Sequence, residues 1–404
     1  MSEPPRITIP EGLQQWMSYR KFAGPLPRVF ILESNYWIDG ACKRAAEQMG
    51  WEVGRAPVVL GGSMPREMLA GLLQSLAEFR PDFILSINLS GMDDTGLFAR
   101  LFADLGIPSA AWFVDDPRTI LMNRTLYASP LAVGITWEAS YRDYLIECGF
   151  AEAHTLPLAV DDTLFNAPPA ESWSFPPAFV GHSMTEFAMS EWAWVEERPH
   201  VAGPLHAAFD AGRVTRENFA RNLAAILGEE VVSGFDPDER RHAELVCFIE
   251  GTKRLRQSLI ETLAPEGICA CGDEAWQHIA PYWSGTIDYE NTLPSFYQQC
   301  EVNLNTTSLQ MATTVNQRVF DCPAAGGFLL TDAQSALWNL FDVEHEVVVY
   351  RSLDEAVELL RYYRAHPEAR RPLIEKARKR ILGEHTYRHR LERLAEIMRN
   401  RFAG

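Results

Sequence analysis

Residues 303–332 read NLNTTSLQMATTVNQRVFDCPAAGGFLLTD. A strand-like run opens the stretch and another closes it, with Thr, Asn, Arg and Asp clustered between them. The segment "EVNLN" predicts a strand and "SLQMATT" the turn after it. "TVNQRVFDCPAAGG" predicts a helix starting near Thr313 or Thr314, both acceptable caps. On such a helix Thr314, Arg318 and Asp321 fall at i, i+4 and i+7 on one face, beside an apolar face of Val315, Val319 and Cys322. A helix N-terminus at the carboxyl end of a strand offers unpaired N–H groups and the positive end of a dipole, which suits phosphate. Asp321 would lie ~10 Å further along the axis. A carboxylate there can accept from both hydroxyls of a ribose. Pro323 and Gly326-Gly327 then shorten and end the helix, so that "FLLT" returns to the sheet. The plainer alternative is an Arg318–Asp321 surface ion pair at i, i+3, worth on the order of a few tenths of a kcal/mol.

Working outward, the same alternation recurs. "RVFILE" (28–33), "FILSI" (83–87), "SAAWFV" (109–114) and "LAVGIT" (131–136) are short apolar runs separated by helical stretches such as "DGACKRAAEQMG" and "PREMLAGLLQSLAEFR". Continuous short runs alternating with helices predict buried parallel strands in βαβ units. At 161–178 the chain turns to "DDTLFNAPPAESWSFPPA", a linker-like composition with four prolines. Beyond it "AFVG", "GICACG", "EVNLN", "GFLLT" and "EVVVY" continue the pattern. The expectation is an α/β protein of two doubly wound halves facing a cleft. Its first domain is 1–165, joined by the final helix 385–404, and its second is 166–384 with a helical insertion at about 185–258.

Composition excludes several classes. The chain has 404 residues and a net charge of −17, which repels a phosphodiester backbone, so nucleic acid is not an expected partner. No apolar run reaches ~18 residues and the opening "MSEPPRITIPEG" has no signal-peptide pattern, so a soluble, cytoplasmic protein without a transmembrane segment is expected. Seven cysteines at scattered positions read as core thiols. Asp236-Pro-Asp238 has the Asp-x-Asp form used by metal-dependent sugar transfer, yet Asp236, Pro237 and Glu239 compose a capping box at a helix start. His385 and His389 stand at i, i+4 with no third ligand in sequence, and no metal is expected. Strand-end loops offer further polar candidates: Asn35 and Tyr36, Asn88 and Ser90, Asp115 and Asp116. An Asp pair before Pro is also an ordinary way to leave a strand.

"RVFDCPAAGGFLLTD" resembles the carboxy-terminal half of group 1 glycosyltransferases, in the branch named after spore maturation proteins. "HTLPLAVDDTLF" is similar to the segment where those enzymes pass between domains, and "AFVGHSM" to the start of their second domain, with Gly181-His182 where Gly-Arg is frequent. "WFVDDPR" and "WEASYRDYLIECGF" are similar to the branch's amino-terminal domain. The resemblance spans most of 80–390 and implies a GT-B fold, with nucleotide sugar on the second domain and acceptor on the first.

It implies transfer of a sugar from a uridine-based nucleotide-diphosphate donor, with retention and without a metal or other cofactor. Cationic side chains and helix N-termini then stabilise the leaving diphosphate. Arg256, Lys253 and His182 are the cationic candidates, with Gly181 beside them and Asp115 and Asp116 on the acceptor side. The base maps near Thr286, Ile287 and Tyr289, and the backbone of Asn316 and Gln317 faces the phosphates. The family pattern has two glutamates eight positions apart; Asp321 matches the second, and Thr313 stands at the first. That departure leaves two other readings open: a silent nucleotide-sugar binding or scaffold protein, and a nucleotide-sugar epimerase of the same fold. Donor sugar and acceptor are not legible.

Overall fold

The computed structural model describes residues 8–33, 36–57, 66–93, 95–122, 127 and 129–403. The chain divides into two compact units, Met1–Pro157 with Tyr387–Gly404, and Leu158–Thr386.

The first unit is built on a parallel sheet of β1 (Arg28–Glu33), β2 (Glu52–Pro57), β3 (Phe83–Ile87), β4 (Ser109–Phe113), β5 (Ser129–Thr136) and β6 (Phe150–Thr155). Its order is β2-β1-β3-β4-β5-β6. β3 is buried along its whole length, as a parallel strand covered on both faces requires. The edge strands β2 and β6 were not expected. "EVGRAP" breaks its apolar character with Glu52 and Arg55, and Gly54 lies where a Cβ would stand 2.5 Å from the Phe30 ring. The buried Asp82 carboxylate accepts from the amides of Arg28 at 2.8 Å and Phe22 at 2.5 Å, tying the start of β1 to that of β3. The helix Tyr387–Phe402 packs in this unit, with Tyr387 set edge-on to the rings of Trp37 and Trp112.

The second unit carries β7 (Ala178–Val180), β8 (Cys269–Cys271), β9 (Tyr282–Trp283), β10 (Asn303–Asn305), β11 (Leu329–Asp332) and β12 (Val348–Tyr350). They form a parallel sheet in the order β12-β11-β10-β7-β8-β9. Phe179, Leu304, Leu330 and Trp276 are among its core residues. All seven cysteines are buried thiols outside any disulfide. Helices from Thr185 to Leu263 follow β7 and form a core of their own. The capping box is present: Asp236 accepts from Glu239 N at 2.8 Å, and Glu239 Oε2 accepts from Asp236 N at 3.0 Å. Among the described residues no helix is long and apolar enough to cross a membrane.

The helix after β10 corrects the sequence reading. It spans Arg318–Ala324, so neither Thr313 nor Thr314 caps it, and Thr314, Arg318 and Asp321 do not share a helical face. The polar groups that would have begun the helix bond elsewhere. Thr313 O accepts from Ala336 N at 2.9 Å, and Asn316 Nδ2 donates to Asn305 Oδ1 at 3.0 Å. The end of the helix is as expected, with Gly326 left-handed at φ 80° and Gly327 N bonded to Cys322 O at 2.9 Å.

Gly327 tests this packing. A Cβ there would lie 2.7 Å from Asn303 Nδ2 and Tyr297 O, whereas one at Gly203, inside the helix Pro199–Asp210, would meet nothing within 4 Å. Gly327→Ala is therefore expected to destabilise the chain by about 1–3 kcal/mol. Gly203→Ala is expected to stabilise it by about 0.4–1 kcal/mol. Urea unfolding of both variants measures the contrast, and equal effects would contradict it.

Candidate functional site

In the second sheet the strand order reverses between β7 and β10. In open parallel sheets this is where the loops at the carboxyl ends part and leave room for a ligand. Arg318 spans that point. Its Nε donates to Val180 O at the end of β7 (2.6 Å) and its Nη1 to Asn305 Oδ1 at the end of β10 (2.7 Å). Its guanidinium stacks 4.9 Å from the centre of the Phe179 ring. Gly181 gives it space, since a Cβ there would lie 2.7 Å from Nη2. Asn305 is the hub of the polar network: Oδ1 also accepts from Asn316, Nδ2 donates to Thr331 Oγ1 at 2.9 Å, and its carbonyl accepts from Tyr350 at 2.7 Å.

A second cation stands beside the first. Arg256, on the helix Pro237–Leu263, donates through Nη1 to His182 O at 2.6 Å. Burial and then the nearby charge of Arg318 push its guanidinium down to about 9. Burial likewise lowers Arg318, against the raising influence of Tyr297, Asp332 and Asp321. The charge of Arg318 thus disfavours that of the partly desolvated Arg256.

His182 Nδ1 lies 2.9 Å from Asp273 Oδ2. Asp273 also accepts from Ser183 N (2.6 Å) and Ser183 Oγ (2.7 Å), pinning the β7 exit to the β8 exit. Burial opposes its ionisation, yet the Ser183 bonds and His182 hold its pKa below the usual carboxylate value. Asp273 was missed in the sequence; its signal was the turn "CGDEAW", where it caps the 3₁₀ turn Glu274–His278. Lys253 is committed to Glu250 at 2.7 Å, a carboxylate that also holds Arg254, and so is not a free cation at the strand ends.

Asp321 is 1% exposed. Its Oδ1 accepts from Gln317 Nε2 (2.7 Å) and its Oδ2 from Tyr289 (2.9 Å). The surface ion pair with Arg318 is therefore replaced by a buried polar cluster. Tyr289 rests 5.3 Å from the Phe165 ring. Thr286 is exposed, and Ile287 packs against the cluster of Ala178, Cys269, Cys271 and Cys300. Thr313 is exposed, Thr314 and Asn316 are buried, and Gln317 Nε2 also reaches Ala159 O at 2.6 Å.

In the first unit Asp116 is 1% exposed, caps the helix Pro117–Leu121 and pairs with Arg118 at 2.6 Å. That is the strand-exit role, which sets Asp116 apart from a group presented to substrate. Asp115 Oδ2 accepts from Asn88 Nδ2 at 2.8 Å, and a hydrogen bond links it to Tyr36. Asn88 and Leu89 are both left-handed (φ 50° and 56°), and Ser90 N closes on Ile87 O at 2.8 Å, a tight turn in which Leu89 is strained. Tyr36, Asn88 and Asp115 therefore converge at the carboxyl ends of β1, β3 and β4. Asn35 lies outside the described residues.

Residues 252–396 match the family model described as "Glycosyl transferase-like". That segment contains Lys253, Arg256, Asp273, Arg318 and Asp321. No curated protein matches the chain by sequence. Among solved structures, Anabaena HepE in complex with UDP and glucose is 12% identical, covering 93% of this chain and 100% of its own, with a TM-score of 0.53. Sucrose-phosphate synthase from Thermosynechococcus elongatus is 11% identical over 93% of this chain and 99% of its own (TM-score 0.51). A glycosyltransferase involved in avilamycin A biosynthesis is 14% identical over 94% of this chain and 99% of its own (TM-score 0.51). The chain has the GT-B fold, two Rossmann-like α/β domains, and its second half carries a glycosyl transferase-like segment.

The Asp321 site predicts a pH signature. Burial raises its pKa well above the usual value; the bonds from Gln317 and Tyr289 offset this in part, and Asp161 adds to the rise. The unfolded carboxyl titrates near ~3.9, so the stabilisation that Asp321 gives when protonated is full below that pH and is lost as pH rises through the higher folded pKa. Asp321→Asn removes this dependence. Wild-type unfolding free energy is expected to fall relative to the variant as pH increases from about 4; parallel curves would contradict the assignment.

Proposed function

We propose that the chain is a metal-independent, retaining glycosyltransferase that moves a sugar from a uridine diphosphate donor, held by the second unit, to an acceptor hydroxyl held by the first. The observation that carries this reading is the pair of partly desolvated guanidiniums, Arg318 and Arg256, at the β7–β10 switch point. Breaking the bond between the anomeric carbon and the diphosphate puts negative charge on the leaving oxygens. Preorganised cations in a place of low polarity stabilise that charge more than they stabilise the intact donor. The backbone of Asn316 and Gln317, just before the helix Arg318–Ala324, is assigned to face the same phosphates. That HepE is described in complex with UDP and with UDP-glucose supports uridine as the base.

Each remaining part has its own support. Asp321 is assigned to the ribose, taking its hydroxyls in place of Tyr289, and Thr286, Ile287 and Tyr289 to the base. Metal independence rests on the two cations and on Asp236, which is spent as a helix cap. Retention and the placement in the spore maturation protein branch rest on the group 1 resemblance. On the acceptor side we assign Asp115, held with Asn88 and Tyr36 at the strand ends. Thr313, exposed at the position of the first family carboxylate, favours a second reading, a chain that binds the nucleotide sugar and does not turn it over.

Calorimetry and a turnover assay separate the readings. UDP at 100 times its dissociation constant is expected to add ~2.7 kcal/mol of stability. Asp321→Asn is expected to weaken UDP binding by ~1.5–3 kcal/mol, the value for hydroxyls donating to a carboxylate that is ionised when the ribose is bound. Turnover that needs an added acceptor, persists in excess EDTA and falls a hundredfold or more in Arg256→Ala (~2.7–4 kcal/mol) is the expected result. Loss on chelation with rescue by manganese would overturn the metal-free mechanism. Binding without turnover would leave the silent binder, and isomerisation of the sugar without acceptor would make the chain an epimerase.

A further inference from the structure

We infer that the helical insertion between β7 and β8 is a clamp on the loop that follows β10, and that Arg216 is a positioning residue for the site on that loop. Residues 306–317 have no regular secondary structure, yet Thr306, Thr307, Ser308, Leu309, Gln310 and Met311 are each 6% exposed or less. A buried loop must find partners for its polar backbone, which is why loops ordinarily stay at the surface. Here the insertion supplies two of those partners, Arg216 for Thr307 O and Thr252 for Leu309 N.

Three contacts make the clamp. Leu309 is 2% exposed and completes a core otherwise built from insertion residues such as Leu205, Phe219 and Val246. It fits against Gly251, where a Cβ would stand 2.6 Å from Leu309 Cδ2. Thr252, 1% exposed, accepts from Leu309 N through Oγ1 at 3.1 Å and meets Ser308 Oγ at 3.1 Å. Arg216, on the short insertion helix Arg216–Arg221, donates to Thr307 O. It also makes a charge contact with Asp332 Oδ2 at 2.7 Å, and Asp332 Oδ1 in turn accepts from Thr307 N and Oγ1 at 2.9 Å. Gln334, in the amide orientation that satisfies both its ends, accepts from Arg216 Nη1 at 3.0 Å and donates to Ala312 O at 3.1 Å.

The loop is thus held at Thr307, Ser308, Leu309 and Ala312 before it reaches Thr313, Asn316 and Arg318. Because Asn316 and Arg318 share Asn305 Oδ1, freeing the loop loosens the cation at the switch point. Arg216 acts through its neighbours; it does not touch the place assigned to the diphosphate. Its consequence for donor binding rests on the function proposed above, whereas the clamp itself does not.

Hydrogen exchange and UDP calorimetry on the full chain test the two parts separately, using wild type, Arg216→Ala, Arg216→Lys and Leu309→Ala. The clamp predicts faster amide exchange across 306–317 in both alanine variants, and in Arg216→Ala the helices Thr185–Glu196 and Pro237–Leu263 exchange as in wild type. It predicts a tenfold or greater rise in the UDP dissociation constant for Arg216→Ala, partly recovered in Arg216→Lys, which can meet Asp332 but not all three partners. Unchanged exchange in 306–317, or faster exchange spread evenly through the insertion in Arg216→Ala, would overturn the clamp. If wild type binds no UDP, the donor assignment fails and the exchange result alone decides the clamp.

Discussion

The second unit depends on where one guanidinium goes. Arg318 could have lain along its helix and met Asp321; instead its nitrogens close the gap between Val180 at the end of β7 and Asn305 at the end of β10. β7 and β10 pair as far as Phe179 and Leu304, and past those residues the loops of a parallel sheet that reverses its strand order part in opposite directions. Arg318 joins them. The requirement propagates: Gly181 must lack a side chain, Asn305 must orient its amide, and Asn316 must share the same oxygen. Arg256 then stands close enough for the charge of Arg318 to disfavour its own.

Much of this architecture was legible because buried parallel strands announce themselves. β1 and β3 match apolar runs to the residue, and the helix start at Asp236 was fixed by local chemistry, a cap with its reciprocal glutamate. The edge strands were not legible, since β2 carries Glu52 and Arg55 and packs through Gly54, which leaves no apolar run to read. The helix after β10 was misplaced for a different reason. Thr313 and Thr314 satisfy the local preference for a cap, but Thr313 O is taken by Ala336 N and the Asn316 side chain by Asn305, both distant in sequence. Tertiary bonds overrode propensity there.

The same limit applies to the site. Arg256, Arg318 and His182 could be named from the chain, but their grouping depends on which strand ends adjoin, and Asp273 became visible only when the β7 and β8 exits were seen pinned together. Lys253 and Asp116 show the converse: residues of the right type whose charges are already spent, on Glu250 and on Arg118. Charge type is readable in a sequence; whether a charge is free is a property of packing.

The measurement that bears most directly on this account is a crystal structure of the chain grown with UDP. The account predicts the diphosphate at the carboxyl ends of β7 and β10, within hydrogen-bond distance of Arg256 or Arg318 and facing the backbone of Asn316 and Gln317, with the ribose against Asp321. A diphosphate bound elsewhere, or both guanidiniums unmoved and without contact to it, would contradict the central claim that these two cations are the chain's anion site.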